Sequence, residues 1–238
     1  VEFGETFTGI KKKQKINKEL LKKFDNKIKY YFIDTNISEI NPWKREGFQR
    51  NQIMKGIEDA DHNDIIMISD VDEIPNLKDL NLSNIGNKVY AFSLFHSMYK
   101  LNLMRQVMWI GTKLCKKKIL KSPQWLRSLK VHKKYSFLRI DKFFSKTYYS
   151  KFKIIENAGW HFGWLMRSDE IVEKVKSYSH TEHNIPLNND DNYIKNCISN
   201  QINFLDKNDI LKVDYDTEKL PNYVKNNLEK FEEWIIKK

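Results

Sequence analysis

The sequence predicts a single α/β domain. Three observations carry that prediction: a strand, a helix and a strand follow one another over residues 27–68, the last of these strands is a continuous apolar run, and no internal repeat or Gly/Ser linker divides the chain. A chain of 238 residues buries ~70% of its unfolded surface, so core size is not limiting. An apolar content of 40% places it among folded domains despite 31% charged residues.

The elements follow in order. Residues 17–25, "NKELLKKFD", read as a helix, and 27–34, "KIKYYFID", as a strand rich in aromatic and β-branched residues. Past Pro42, Ile53, Ile57 and Ala60 recur at helical spacing and predict a helix over about 44–59. "DIIMIS" then reads as a buried parallel strand, because apolar residues occupy both of its faces. Residues 88–112 predict two or three further strands. Residues 113–150, basic and aromatic with Trp125, Arg127, Arg139 and Tyr148, read as a loop-rich lobe over a site. "KFKIIENAGWHFGW" predicts a strand ending at Gly159, and "SDEIVEKVKSYSH" a helix capped by Ser168, with Asp169 and Glu170 at its positive end. "NDDNYIKNCISNQIN" and "LPNYVKNNLEKFEEWIIKK" predict two more helices, the second with Pro221 near its first turn.

A net charge of +11 suits phosphate groups, nucleic acid, anionic lipid or anionic sugars without choosing among them. The Lys runs at 11–13 and 116–118 read as solvated faces. Cys115 and Cys197 lie far apart with no CxxC or Cys/His pattern, which argues against a zinc site or a disulfide framework and fits a reducing compartment. No apolar segment approaches the ~18 residues that span a bilayer, so the expected location is cytoplasmic or peripheral to a membrane. The sequons at Asn36 and Asn81 are read as chance occurrences.

"DIIMISDVDEIPN", residues 64–76, carries the chemistry. In an extended chain Asp70 and Asp72 share one face ~6.6 Å apart. Their repulsion is roughly 3 kcal/mol at an effective dielectric of 20, and a bound divalent cation turns it into attraction. Oxygen ligands suit Mg²⁺ or Mn²⁺. The alternative is a solvated turn capped before Pro75. Phosphotransferases with an aspartyl nucleophile also begin with a strand-terminal D-x-D, but no Gly-Asp-x-x-x-Asp stretch follows residue 72.

Several stretches together resemble glycosyltransferase family 17, the group containing the bisecting β-1,4-N-acetylglucosaminyltransferases. They are "VEFGETFTGIKKK" at 1–13, "WKREGFQRNQI" at 43–53, "DIIMISDVDEIP" at 64–75, "GWHFGW" at 159–164, "KVKSYSHTE" at 174–182 and "LPNYVKNNLEKF" at 220–231. The resemblance implies a GT-A-like, Rossmann-like fold with a mixed, mainly parallel sheet flanked by helices. It also implies a UDP-sugar donor, UDP-GlcNAc, a glycan or glycoconjugate acceptor, no specific nucleic acid, and a Mn²⁺- or Mg²⁺-dependent transfer that inverts the anomeric centre. Asp70 and Asp72 match the family's D-x-D, with Asp72 the more direct metal ligand and Asp70 on ribose or metal-bound water; His161 of G-W-H completes the metal shell or packs in the core.

For the substrates the candidates are Glu2, Trp43, Arg45, Arg50 and Trp160; a bidentate Arg45 or Arg50 suits a diphosphate, and pairing with Glu46 is the alternative. An inverting transfer needs a general base, for which Glu73, Glu46 and Glu182 are candidates. Family members usually carry a segment before the V-E stretch, so the chain, read as one glycosyltransferase domain over 1–238, is expected to be N-terminally truncated and to lack its first strand. The charge and 31 aromatic residues also admit a basic nucleic-acid or anionic-surface binding module without catalysis.

Overall fold

The computed structural model describes residues 1–12, 16–34, 41–130 and 151–238. Lys13, the sequon at Asn36, Arg139 and Tyr148 lie outside the described residues. In chain order the elements are β1 (Glu2–Phe3), α1 (Lys18–Leu21), β2 (Phe32–Ile33), α2 (Pro42–Asn51), β3 (Ile65–Ile68), β4 (Glu73–Pro75), β5 (Val89–Met98), β6 (Leu103–Met104), β7 (Trp109–Lys116) and α3 (Pro123–Ser128). They continue with β8 (Phe152–Ile155), β9 (Gly159–Gly163), α4 (Ser168–Ser177), α5 (Asp191–Ser199), β10 (Ile202–Asn203), β11 (Asp206–Ile210), β12 (Lys212–Val213) and α6 (Asn222–Lys225).

The aromatic-rich β5 is the spine of an eight-stranded sheet with the path β12-β6-β5-β7-β3. The first half of β5 pairs with β8 and its second half with β9, while β4 pairs on the far side of β9.

This sheet corrects the expectation of a mainly parallel, GT-A-like arrangement. β3–β7, β5–β7, β5–β6, β6–β12 and β4–β9 run antiparallel; β8 and β9 run parallel to β5. The parallel reading of "DIIMIS" fails for a physical reason. Ile66 and Ile68 enter one core with Val89, Cys115 and Leu126, whereas Ile65 and Met67 pack against another around Phe92, Leu94 and Leu114. A continuous apolar run therefore reports two covered faces, and an antiparallel strand with both faces covered reads the same way.

Helix ends also move. The predicted helix over about 44–59 is α2, with Asn41 accepting from the Trp43 and Lys44 amides and Pro42 at its start, followed by a 3-10 stretch over Gln52–Ile57. The predicted helix at 17–25 is the single turn α1 followed by a 3-10 stretch over Lys22–Lys27, and of the strand at 27–34 Phe32 and Ile33 alone pair among the described residues, with β1. Arg167 rather than Ser168 occupies the N-cap of α4, where the Glu170 carboxylate accepts from the Arg167 amide at 2.8 Å. The long C-terminal helix divides into α6 and a 3-10 stretch over Leu228–Trp234, because the poor helix formers Asn226 and Asn227 fall between them.

Gly159 places β9. Its φ of 134° belongs to glycine, and a Cβ there would overlap the Ile74 carbonyl oxygen of β4. That close approach sets the register Glu73↔His161 and Ile74↔Trp160. Cys115 and Cys197 are free and buried. No described helix is long and apolar enough to cross a membrane.

Candidate active site

β3 ends at Ile68 and the chain turns back at once, with the Glu73 amide donating to the Asp70 carbonyl at 3.1 Å. Val71 stands fully exposed at the tip, so the carboxylates on either side of it have different surroundings.

Glu73 points inward. Its Oε1 accepts from Trp109 Nε1 and from Arg127 Nη2, both at 2.6 Å, and its Oε2 from Thr112 Oγ1 at 3.0 Å and the Asp70 amide at 3.2 Å. Gly111 makes this possible, because a Cβ there would overlap both Glu73 Oε1 and Trp109 Nε1. A buried carboxylate is stable only when its lone pairs are met by donors and its charge by a cation, and here both conditions hold.

Arg127, on α3, also donates to Asp70 Oδ2 at 2.5 Å. Burial opposes its charge, but Glu73 and then Asp70 outweigh burial and raise its pKa. α3 is itself held by Lys113 of β7, whose ammonium donates to the Arg127 and Leu129 carbonyls at 2.5 and 2.9 Å. Burial, reinforced by the Arg127 charge, pushes Lys113 down to about 8.

Asp72 faces His161. Its Oδ1 lies 3.6 Å from His161 Nε2, and the Phe162 amide donates to its carbonyl at 2.9 Å. Burial is the largest influence on its carboxyl and disfavours the charge, yet His161 and Lys174 together hold it below the ordinary value. The His161 ring stacks on Trp109 at 4.5 Å and tilts against His96 at 4.5 Å, and its buried Nδ1 has no hydrogen-bond partner among the described residues. Stacking therefore orients this ring. Burial, and then the His161 and Arg105 charges, push His96 down to about 3 and leave it neutral at ordinary pH. Two atoms bound to one cation stand about 3.0–3.6 Å apart, given metal–ligand distances near 2.1 Å, and Asp72 with His161 matches that spacing.

Asp70 is the more enclosed by cations. Arg50 Nη2 approaches its Oδ1 at 3.5 Å and donates to Glu46 Oε1 at 2.5 Å, while Arg50 Nη1 donates to Gln124 Oε1 at 2.5 Å. The second Glu46 oxygen accepts from Ser179 Oγ, so both Glu46 oxygens are engaged. The chain after α4 is thereby joined to the acidic turn through Ser179, Glu46, Arg50 and Asp70.

The other sequence candidates are spread more widely. Trp43 is exposed, with its ring edge-on to His180 at 4.2 Å. Glu182 is exposed, with its carboxylate 2.7 Å from His180 Nδ1. Arg45 donates to Glu5 Oε2 at 2.9 Å, and Glu2 accepts from Tyr30 Oη at 2.9 Å. Both tie the N-terminal segment to neighbouring elements. Trp160 follows Gly159 on the strand face opposite to His161, and its indole donates to the Lys219 carbonyl at 2.6 Å.

Trp109, Thr112 and Lys113 had no signal as site residues in the sequence, and Lys174 and Ser179 appeared there only within the stretch "KVKSYSHTE". Arg127 appeared there only as part of a basic stretch. Gly111 in a strand interior was the available clue, because glycine there marks a close approach.

The family model described as Glycosyltransferase family 17 matches residues 1–234. No curated protein and no solved structure matches the chain. The matched span takes in the acidic turn, Arg127, His161 and the chain after α4, and on that match the chain belongs to glycosyltransferase family 17, a family of glycosyl-transferring enzymes that act between a sugar donor and a glycan acceptor.

Proposed function

We propose that the chain moves a sugar, GlcNAc, from a UDP-sugar to a glycan hydroxyl with inversion, at the turn Asp70–Glu73. The observation that carries this reading is the pairing of Asp72 Oδ1 with His161 Nε2 at 3.6 Å beside a fully engaged Glu73. Asp72 and His161 hold Mn²⁺ or Mg²⁺. When bound, the cation neutralises charge developing on the departing nucleoside diphosphate.

The chain's own groups divide the remaining work. Arg127 and Arg50 fix Asp70, which would contact the donor ribose or the hydration of a bound cation. Glu73 positions Arg127 and the indole of Trp109, against which His161 stacks. Glu46, with both oxygens engaged, positions Arg50. Glu182, the most open of the three candidate carboxylates, takes the proton from the acceptor hydroxyl, and exposed Trp43 offers its ring to the acceptor sugar.

The test is hydrolysis and transfer across a panel of UDP-sugars, with Mn²⁺ and with EDTA. UDP-GlcNAc turnover that needs the metal is the expected result, with His161→Ala raising the Mn²⁺ concentration required. Turnover of no UDP-sugar, together with salt-sensitive binding to random oligonucleotides, rejects this reading in favour of a basic binding module.

A further inference from the structure

A separate group of metal-binding side chains lies after α4, in "SYSHTEHN". Thr181–His183 forms a 3-10 turn, with His180 the residue just before it and His183 its last. His180 and His183 are three apart. Their rings stack at 5.7 Å with 25° between the planes, and the Glu182 carboxylate comes 2.7 Å from His180 Nδ1. One ligand atom from each of His180, Glu182 and His183 lies within 4.8 Å of the other two.

We infer that His180, Glu182 and His183 form a binding site for a zinc-class divalent cation, distinct from the pair Asp72 and His161. Zinc takes imidazole nitrogen at about 2.0–2.1 Å and carboxylate oxygen at about 2.0–2.2 Å, and two His with one carboxylate is a donor set it accepts while keeping a position open. Imidazole-rich sets favour zinc over the hard, oxygen-seeking Mg²⁺ and Mn²⁺. The half-exposed side chains of His180 and Glu182 leave that open position to water.

The backbone is already in place. The His183 amide donates to the His180 carbonyl at 3.1 Å, the Thr181 amide to Ser179 at 3.0 Å, and the Asn188 side chain to the His183 carbonyl at 2.9 Å. Trp43 and Tyr178 pack on the His180 ring at 4.2 and 5.4 Å, which limits its rotation. Side-chain adjustment alone therefore closes the three ligands on one ion.

Binding at this site does not depend on the UDP-sugar reading. Under that reading it has one consequence: zinc on Glu182 occupies the carboxylate assigned to take the acceptor proton.

The experiment is Zn²⁺ titration by calorimetry, with Co²⁺ absorption as a second readout of coordination. It uses EDTA-treated full chain with no donor present, in an Asp72→Asn background that removes the other candidate site. One equivalent is expected to bind. Adding His183→Ala should weaken it at least about 10-fold, and adding His62→Ala, at an exposed histidine elsewhere, should leave it unchanged. If His183→Ala does not fold, as judged by circular dichroism, Glu182→Gln takes its place with the same expected loss. Binding of no zinc in the Asp72→Asn background, or unchanged affinity in the tested ligand variant, overturns the inference. Because no UDP-sugar is present, either result leaves the transferase reading to its own test.

Discussion

Arg127 bridges Asp70 and Glu73 with one nitrogen, its Nη2 lying 2.5 Å from Asp70 Oδ2 and 2.6 Å from Glu73 Oε1. The two carboxylates at either end of the acidic turn are thus drawn to one cation supplied by a helix more than fifty residues downstream. Glu73 is wholly buried and Asp70 is partly open, so the bridge joins the core of the domain to its solvent-facing surface.

Arg127→Met strips a buried carboxylate of its cation, and the expected loss of stability is about 3–5 kcal/mol. Glu73→Gln keeps Arg127 paired with Asp70 and loses mainly charge-assisted hydrogen bonds, for an expected cost of about 1–3 kcal/mol. Urea denaturation of the two variants gives the order directly. A Glu73→Gln cost equal to or above that of Arg127→Met contradicts the bridge.

Gly111→Ala tests the packing that admits Glu73. The added Cβ falls on Glu73 Oε1 and Trp109 Nε1, so the carboxylate and the indole must separate. About 1–3 kcal/mol of destabilisation is expected from overpacking. Because Trp109 also stacks on His161, its fluorescence should shift in the same variant. A variant with the wild-type urea midpoint and emission shows that this close approach is not needed.

Lys113 gives the fold a specific dependence on pH. Burial lowers its pKa from 10.5 to about 8. Below about 8 both the folded and the unfolded chain carry the proton, so this group adds no slope there. Between about 8 and 10.5 the unfolded chain binds the proton and the folded chain has released it, so stability rises with pH. The contribution approaches about 1.4 kcal/mol per pH unit inside that window. The difference between wild type and Lys113→Met, measured as urea midpoints from pH 7.5 to 10, isolates it. A difference that stays constant or falls with pH contradicts the assignment.

Part of this arrangement was legible in the sequence because it is local. Asp70, Asp72 and Glu73 are nearly consecutive and follow an apolar strand, so their crowding is visible without a structure. The division among them is not. Which carboxylate turns inward depends on Trp109, Thr112 and Arg127, which arrive from β7 and α3. The pattern of Ile65–Ile68 reported a strand covered on both faces, but strand direction leaves no mark on apolar spacing, and the expected parallel sheet is mainly antiparallel. His161 was found through the G-W-H motif. Its neighbour Trp160 shared that motif and lies on the other face, because adjacent strand residues alternate.

We propose that Asp72 and His161 hold the cation through which a UDP-sugar is bound. Calorimetric titration of UDP into the chain with Mn²⁺, repeated in EDTA and with Asp72→Asn, is the measurement that decides. The expected result is UDP binding that needs Mn²⁺ and is lost in Asp72→Asn while the variant's circular dichroism stays that of the wild type. UDP binding of equal strength in EDTA, or in Asp72→Asn with Mn²⁺, contradicts it.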